Sequence, residues 1–113
     1  MLVAIDFGIS NTDIAVSENE ETSFFSTPTL STTISPDTIK ELFKKHNIPI
    51  SSVQIIGVTG GKSSDLDNSL EEIKIIKINE IEAIGLGAKK IYGIKDEPAL
   101  VVSAGTGTAC VHI

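Results

Sequence analysis

The chain has 113 residues, 41% of them hydrophobic and 21% charged, with a formal net charge of −6. Such a composition supports one ordinary globular domain with a buried core and excludes intrinsic disorder. All nine cations are lysines and only Tyr92 and four phenylalanines are aromatic, so neither a basic nucleic-acid face nor a base-stacking platform is expected.

The N-terminus enters Leu2-Val3-Ala4-Ile5 without a basic flank, which argues against a signal peptide. No apolar run approaches the ~18 residues of a membrane helix. A cytoplasmic protein with no membrane partner is the expectation. Met1–Ile5 reads as a buried strand, Asp6–Asp13 as a polar hairpin turn, and Ile14-Ala15-Val16 as the return strand. A third strand follows the acidic turn Glu18–Glu21, around Thr22–Thr27, and Pro28–Ser35 is a Ser/Thr-rich loop.

Ser35-Pro36 opens a helix with serine as N-cap, proline in the first turn and Asp37 complementing the dipole. Ile39, Leu42 and Phe43 form its apolar face, Lys44, Lys45 and His46 suit its C-terminal end, and Pro49 prevents continuation. His46 reads as solvated or capping. Val53–Val58 is nearly all apolar, the pattern of a parallel strand covered on both faces. It ends in Thr59-Gly60-Gly61-Lys62-Ser63-Ser64, where Lys62 is either a solvated loop residue or a phosphate contact.

Glu72–Ile78 reads as another strand, and Asn79 starts a second helix whose apolar face is Ile81, Ile84, Ala88 and Ile91. Asn79-x-x-Glu82 is a capping-box pattern, which gives Glu82 a structural role. Gly85 and Gly87 each cost this helix about 1 kcal/mol relative to alanine, so close packing is expected there. Pro98–Val102 is a last buried strand, Gly105-Thr106-Gly107-Thr108 a turn, and Thr108–Ile113 a further strand that pairs locally or opens a second domain. Cys110, the single cysteine, rules out an internal disulfide and reads as a small buried hydrophobe. The fold class is α/β, a mixed sheet with a three-strand antiparallel meander followed by strand–helix parallel units. Residues 1–107 form the expected domain and 108–113 the start of a second domain or a terminal strand.

Three glycine- and hydroxyl-bearing loops follow apolar strands, Asp6–Asp13, Thr59–Ser64 and Gly105–Thr108, where ligands of parallel sheets gather. Glycine in such turns lets successive N–H groups form an anion-binding concavity, although a tight hairpin would also need glycine at 105–107. None has the Gly-x4-Gly-Lys-Ser/Thr spacing of a Walker A loop. Asp6-Phe7-Gly8-Ile9-Ser10, Thr59-Gly60-Gly61, Glu80-Ile81-Glu82 with Gly87, and Gly105-Thr106-Gly107-Thr108 resemble, in order and rough spacing, four motifs of type II pantothenate kinases.

That family belongs to the superfamily of acetate and sugar kinases, heat-shock chaperones and actin. The resemblance covers essentially the whole chain and implies half of an actin-like ATPase, ribonuclease H-like in fold. It implies ATP and Mg2+ as cofactors and a small hydroxyl compound, pantothenate first, as the substrate; it also admits a homodimer. By resemblance Asp6 holds Mg2+, Gly8, Ser10, Gly105, Thr106, Gly107 and Thr108 line the nucleotide phosphates, Thr59, Gly60 and Gly61 border the acceptor, and Glu80 is the general base.

Two positions depart from the family: Ile9 replaces its second loop glycine, and Asp13 replaces a lysine. Asp6-x-Gly-x-Ser-x-Thr-Asp13 is similar instead to the first loop of hydantoinase and oxoprolinase ATPases. Asn79-Glu80 with Ser103-Ala104-Gly105-Thr106-Gly107 also resembles N-acetylglucosamine kinases and the ATPase activators of radical dehydratases. A nucleotide cleft in this superfamily lies between two similar domains, so these residues alone are expected to be inactive and to bind ATP weakly.

Overall fold

A computed structural model describes residues 1–29, 33–61, 63–95, 98–105 and 107–113. The chain divides into two compact units, Met1–Lys77 and Ile78–Ile113. In the first, β1 (Leu2–Phe7), β2 (Asn11–Glu18) and β3 (Glu21–Pro28) form an antiparallel meander. Helix α1 (Pro36–Lys45) leads to β4 (Ile55–Thr59), which lies parallel to β1. β5 (Ser69–Leu70) and β6 (Ile73–Lys77) complete a six-stranded sheet of order β3-β2-β1-β4-β6-β5, with β6 parallel to β4. The mixed α/β architecture expected from the sequence is therefore present, and the two-residue β5 is an addition to it.

The meander follows from strict alternation. Val3, Ile5 and Phe7 on β1, Ile14 on β2, and Ile56 and Val58 on β4 are buried with Ile39 and Phe43 of α1. Each such side chain contributes about 1.5–3 kcal/mol by leaving water. Ser35 N–H donates to Thr38 Oγ1 at 3.1 Å, which ties the start of α1. At its other end Asn47 takes φ 56° and Ile48 N–H returns to Phe43 O at 2.8 Å, a left-handed stop that asparagine tolerates. His46 is the C-cap; its ring lies 5.0 Å from that of Phe25, and its Nε2 is buried without a partner among the described residues.

The β2–β3 connection is a two-residue turn with φ 52° at Asn19 and 66° at Glu20, both left-handed. Glu20 has none of glycine's freedom there, and Glu18 faces Glu21 across the closing pair. Glu20→Gly, which creates the Asn-Gly pair such turns prefer, is expected to raise stability by about 0.5–1 kcal/mol, read as a higher midpoint in urea unfolding.

Several sequence expectations change. Asp6 and Asp13 lie within strands, since only residues 8–10 separate β1 from β2. β4 is parallel, but Ile56 and Val58 are buried while Ile55 is 38% exposed, so it is not covered equally on both faces. In the second unit, α2 (Glu80–Tyr92) precedes a separate antiparallel hairpin of β7 (Leu100–Ala104) and β8 (Thr108–His112). β7 is not a buried member of the main sheet: Leu100 and Val102 are largely exposed. Cys110 is exposed, not buried.

α2 buries Gly85 and Ala88, while Ile81 and Ile91 are exposed, so its packed stripe is narrower than the apolar pattern suggests. A Cβ on Gly85 would lie 2.8 Å from Ile113 Cγ2 and 3.4 Å from Val111 Cγ1, the close packing that glycine permits. Nothing lies within 4 Å of a Cβ on Gly87, which therefore has no such reason. Among the described residues no helix is long and apolar enough to cross a membrane.

Candidate functional site

The residues singled out in the first unit converge at the carboxyl ends of β1 and β4. Parallel pairing sets Asp6 beside Thr59, and antiparallel pairing sets Asp6 opposite Asp13. Directly paired residues share a face, so Asp13, Asp6 and Thr59 form one row across three strands. That face is opposite the one on which Val3, Ile5 and Phe7 meet α1. Two carboxylates opposed in this way repel each other unless a cation or donor lies between them. Thr59 Oγ1 is buried and has no hydrogen-bond partner among the described residues, an arrangement that costs about 1–3 kcal/mol until a ligand or water satisfies it.

Two loops flank this row. Gly8 O accepts from Thr29 Oγ1 at 3.0 Å, and Ser10 O accepts from Thr29 N–H at 2.9 Å. Gly60 O accepts from Ser63 Oγ at 2.8 Å and from Ser63 N–H at 3.2 Å. A trans peptide directs the next N–H opposite to its carbonyl, and no peptide here is cis. Tying back Gly8 O and Gly60 O therefore turns the N–H groups of Ile9 and Gly61 away from these anchors, as an anion-binding loop requires. Ile9 is 80% exposed, so its side chain leaves the space beside the loop open.

The glycines divide by role. Gly60 has φ 93°, and a Cβ there would sit 2.4 Å from Phe7 O and 2.8 Å from Asp6 Oδ1. A Cβ on Gly8 would sit 2.5 Å from Asn11 O. Both are needed for one piece of the protein to approach another. A Cβ on Gly61 would meet nothing within 4 Å, so packing does not require glycine there and the space beside it is open.

The second unit carries Glu80, Gly105, Gly107 and Thr108. Asn79 Oδ1 accepts from Ile81 N–H at 2.9 Å and from Glu82 N–H at 3.4 Å, which fixes the helix start and leaves Glu80 exposed in the first turn. Gly105 N–H donates to Gly107 O at 2.8 Å in the β7–β8 turn, so this glycine loop is a tight hairpin. Thr106 and Lys62 lie outside the described residues. Sequence reasoning missed Asp13 as a partner of Asp6, a relation that only strand register reveals.

No family model matches the chain, and no curated protein sequence does either. Solved structures do. The activator of the 2-hydroxyisocaproyl-CoA dehydratase from Clostridium difficile, with bound ADPNP, is similar with a TM-score of 0.62 at 15% identity over 89% of this chain. YeaZ from Pseudomonas aeruginosa is similar with a TM-score of 0.54 at 10% identity over 96% of the chain, as is an uncharacterized protein with similarity to peptidase YeaZ from the same organism. The chain spans 36% of the activator and 58% and 57% of the other two. Likeness at these identities bears on fold alone, and these structures do not support the resemblance to pantothenate kinases. The likeness is one of fold: the chain is a mixed α/β structure similar to part of each of these proteins.

Proposed function

We propose that this chain supplies a phosphate- and Mg2+-holding part of a nucleotide-dependent ATPase whose cycle drives a partner's conformation. The observation that carries this reading is the Asp13–Asp6–Thr59 row beside the Gly8 and Gly60 loops. Its buried Thr59 hydroxyl, without a partner among the described residues, and its outward N–H groups suit phosphate oxygens, and its opposed carboxylates suit a hard cation. No group of three or more His, Cys, Asp or Glu among the described residues is placed to hold a metal, so Asp6 and Asp13 would hold Mg2+ with phosphate and water oxygens completing its shell. Bound Mg2+–ATP supplies the phosphoryl group and neutralises its charge. The protein's residues then position: Ile9 and Gly61 N–H donate to phosphate oxygens, Thr59 Oγ1 orients one of them, and Asp6 fixes the cation. The activator's bound ADPNP and its similar fold support nucleotide binding, and that protein's being an activator of another enzyme favours this reading.

A second reading, an ATP-dependent kinase acting on pantothenate or another hydroxyl compound, rests on Glu80. An exposed carboxylate in the first turn of α2 can reach an acceptor hydroxyl and take its proton, and such a base contributes a factor of ~10²–10⁴. ADP release by the full-length protein, measured with pantothenate, hexoses, amino sugars and no acceptor, separates the two. Release without an acceptor supports the ATPase; release in proportion to one hydroxyl compound overturns it in favour of a kinase. Glu80→Gln is expected to leave acceptor-independent turnover unchanged, and a fall of 10²-fold or more in acceptor phosphorylation would assign Glu80 the base role.

A further inference from the structure

The first unit holds a pocket of about 150 Å3 between α1 and the meander, on the sheet face opposite Asp6, Asp13 and Thr59. Phe7, Thr12 and Thr27, directly paired across β1, β2 and β3, form its floor. Ile34 and Leu42 add apolar wall, and Glu41 and Lys45, one turn apart on α1, bring opposite charges to it. A cavity of this size accepts an apolar group about as large as benzene.

Its polar groups have defined donor and acceptor capacity. Lys45 Nζ donates to Thr27 Oγ1, so the Thr27 proton and the remaining ammonium protons are left for a ligand oxygen. Thr29 Oγ1 gives its one proton to Gly8 O, so Thr12 must donate in the 2.9 Å Thr12–Thr29 pair. The Thr12 oxygen thus keeps acceptor capacity, as does the Glu41 carboxylate. Thr12 and Thr27 are only 4% and 5% exposed, so these hydroxyls belong to a desolvated site where hydrogen bonds discriminate strongly.

We propose that this pocket binds a small apolar amino acid as its zwitterion. The carboxylate is taken by Lys45 and Thr27, the ammonium by Glu41 and Thr12, and the side chain by Phe7, Ile34 and Leu42. A zwitterion pairs with both of the exposed charges that α1 brings to the pocket; a simple acid would face Glu41 and a simple amine would face Lys45. Occupancy reaches the Gly8–Ser10 loop, because Thr12 donates to the Thr29 hydroxyl that holds Gly8 O, and Thr29 N–H holds Ser10 O.

The test is a titration of the isotope-labelled protein, without nucleotide, with leucine, 4-methylpentanoate and isoamylamine, followed by NMR. Leucine is expected to shift the Thr12, Thr27 and Leu42 methyl signals saturably, with a Kd on the order of 1 mM. The acid and the amine should each bind at least tenfold more weakly. The Gly8 and Ser10 amide signals should move in step with the leucine occupancy. Lys45→Met and Thr27→Val should each weaken leucine at least tenfold while the spectrum stays dispersed, which shows that the fold survives. No saturable shift with leucine, acid binding as tight as leucine, or unchanged affinity in both variants would overturn the proposal. Nucleotide plays no part in these readings, so the outcome is independent of the ATPase reading.

Discussion

Gly60→Ala is expected to destabilise the first unit by about 3 kcal/mol or more, read as a large fall in the urea midpoint. Two effects add. The backbone at Gly60 has φ 93°, a conformation that costs a residue with a Cβ about 1–2 kcal/mol. The new methyl would also lie 2.4 Å from Phe7 O and 2.7 Å from Phe7 C, both backbone atoms. A flexible side chain could move aside, but β1 cannot: it is hydrogen-bonded to β2 on one side and β4 on the other. Relief therefore requires separating β4 from β1 at the site itself. Gly61→Ala is the control, because a Cβ there meets nothing within 4 Å and stability should stay within about 0.5 kcal/mol. Equal midpoints for the two variants would show that the Gly60 loop is not packed on β1 as described.

The contrast between neighbouring glycines marks where the sequence stops being informative. Thr59-Gly60-Gly61 reads as one motif, yet one glycine answers to the fold and the other is open to a ligand. The local devices were legible because they act over three or four residues: the alternation of β1 and β2, the Ser35-Pro36 start of α1, and the Asn79 cap. Relations set by partners were not. Asp6 and Asp13 read as two ends of one long turn, because nothing local says that only residues 8–10 form it. Leu100 and Val102 read as a buried strand because an apolar run reports hydrophobicity and not what covers it. Ile81 and Ile91 fit a helical stripe, but α2 uses its glycine face, where small residues let β8 side chains approach. Parallel β4 was read correctly, though for a reason its uneven burial does not bear out.

Asp6→Asn is expected to separate function from stability at the same site. The carboxylate faces Asp13 across a directly paired position, and like charges so placed are destabilising by a few tenths of a kcal/mol when partly exposed. Asparagine keeps the size and an acceptor oxygen while removing one charge, so the unfolding midpoint should stay level or rise slightly. Mg2+-dependent ATP turnover of the full-length protein should instead fall by about 10²–10³, the effect of removing one preorganised electrostatic group from a phosphoryl-transfer site. Mg2+ with ADPNP should raise the melting temperature of the unsubstituted protein and raise that of the variant much less, since a ligand stabilises only the state it binds. Asp13→Asn should show the same pattern more weakly, because Asp13 is exposed and Asp6 is half-buried against the Gly60 loop. A purely structural Asp6 gives the reverse: a lower midpoint in the variant and the same response to Mg2+ and nucleotide in both proteins. A cation bound between Asp6 and Asp13 would interact with both carboxylates at once, and this ties the Asp6–Asp13 register to ligand binding.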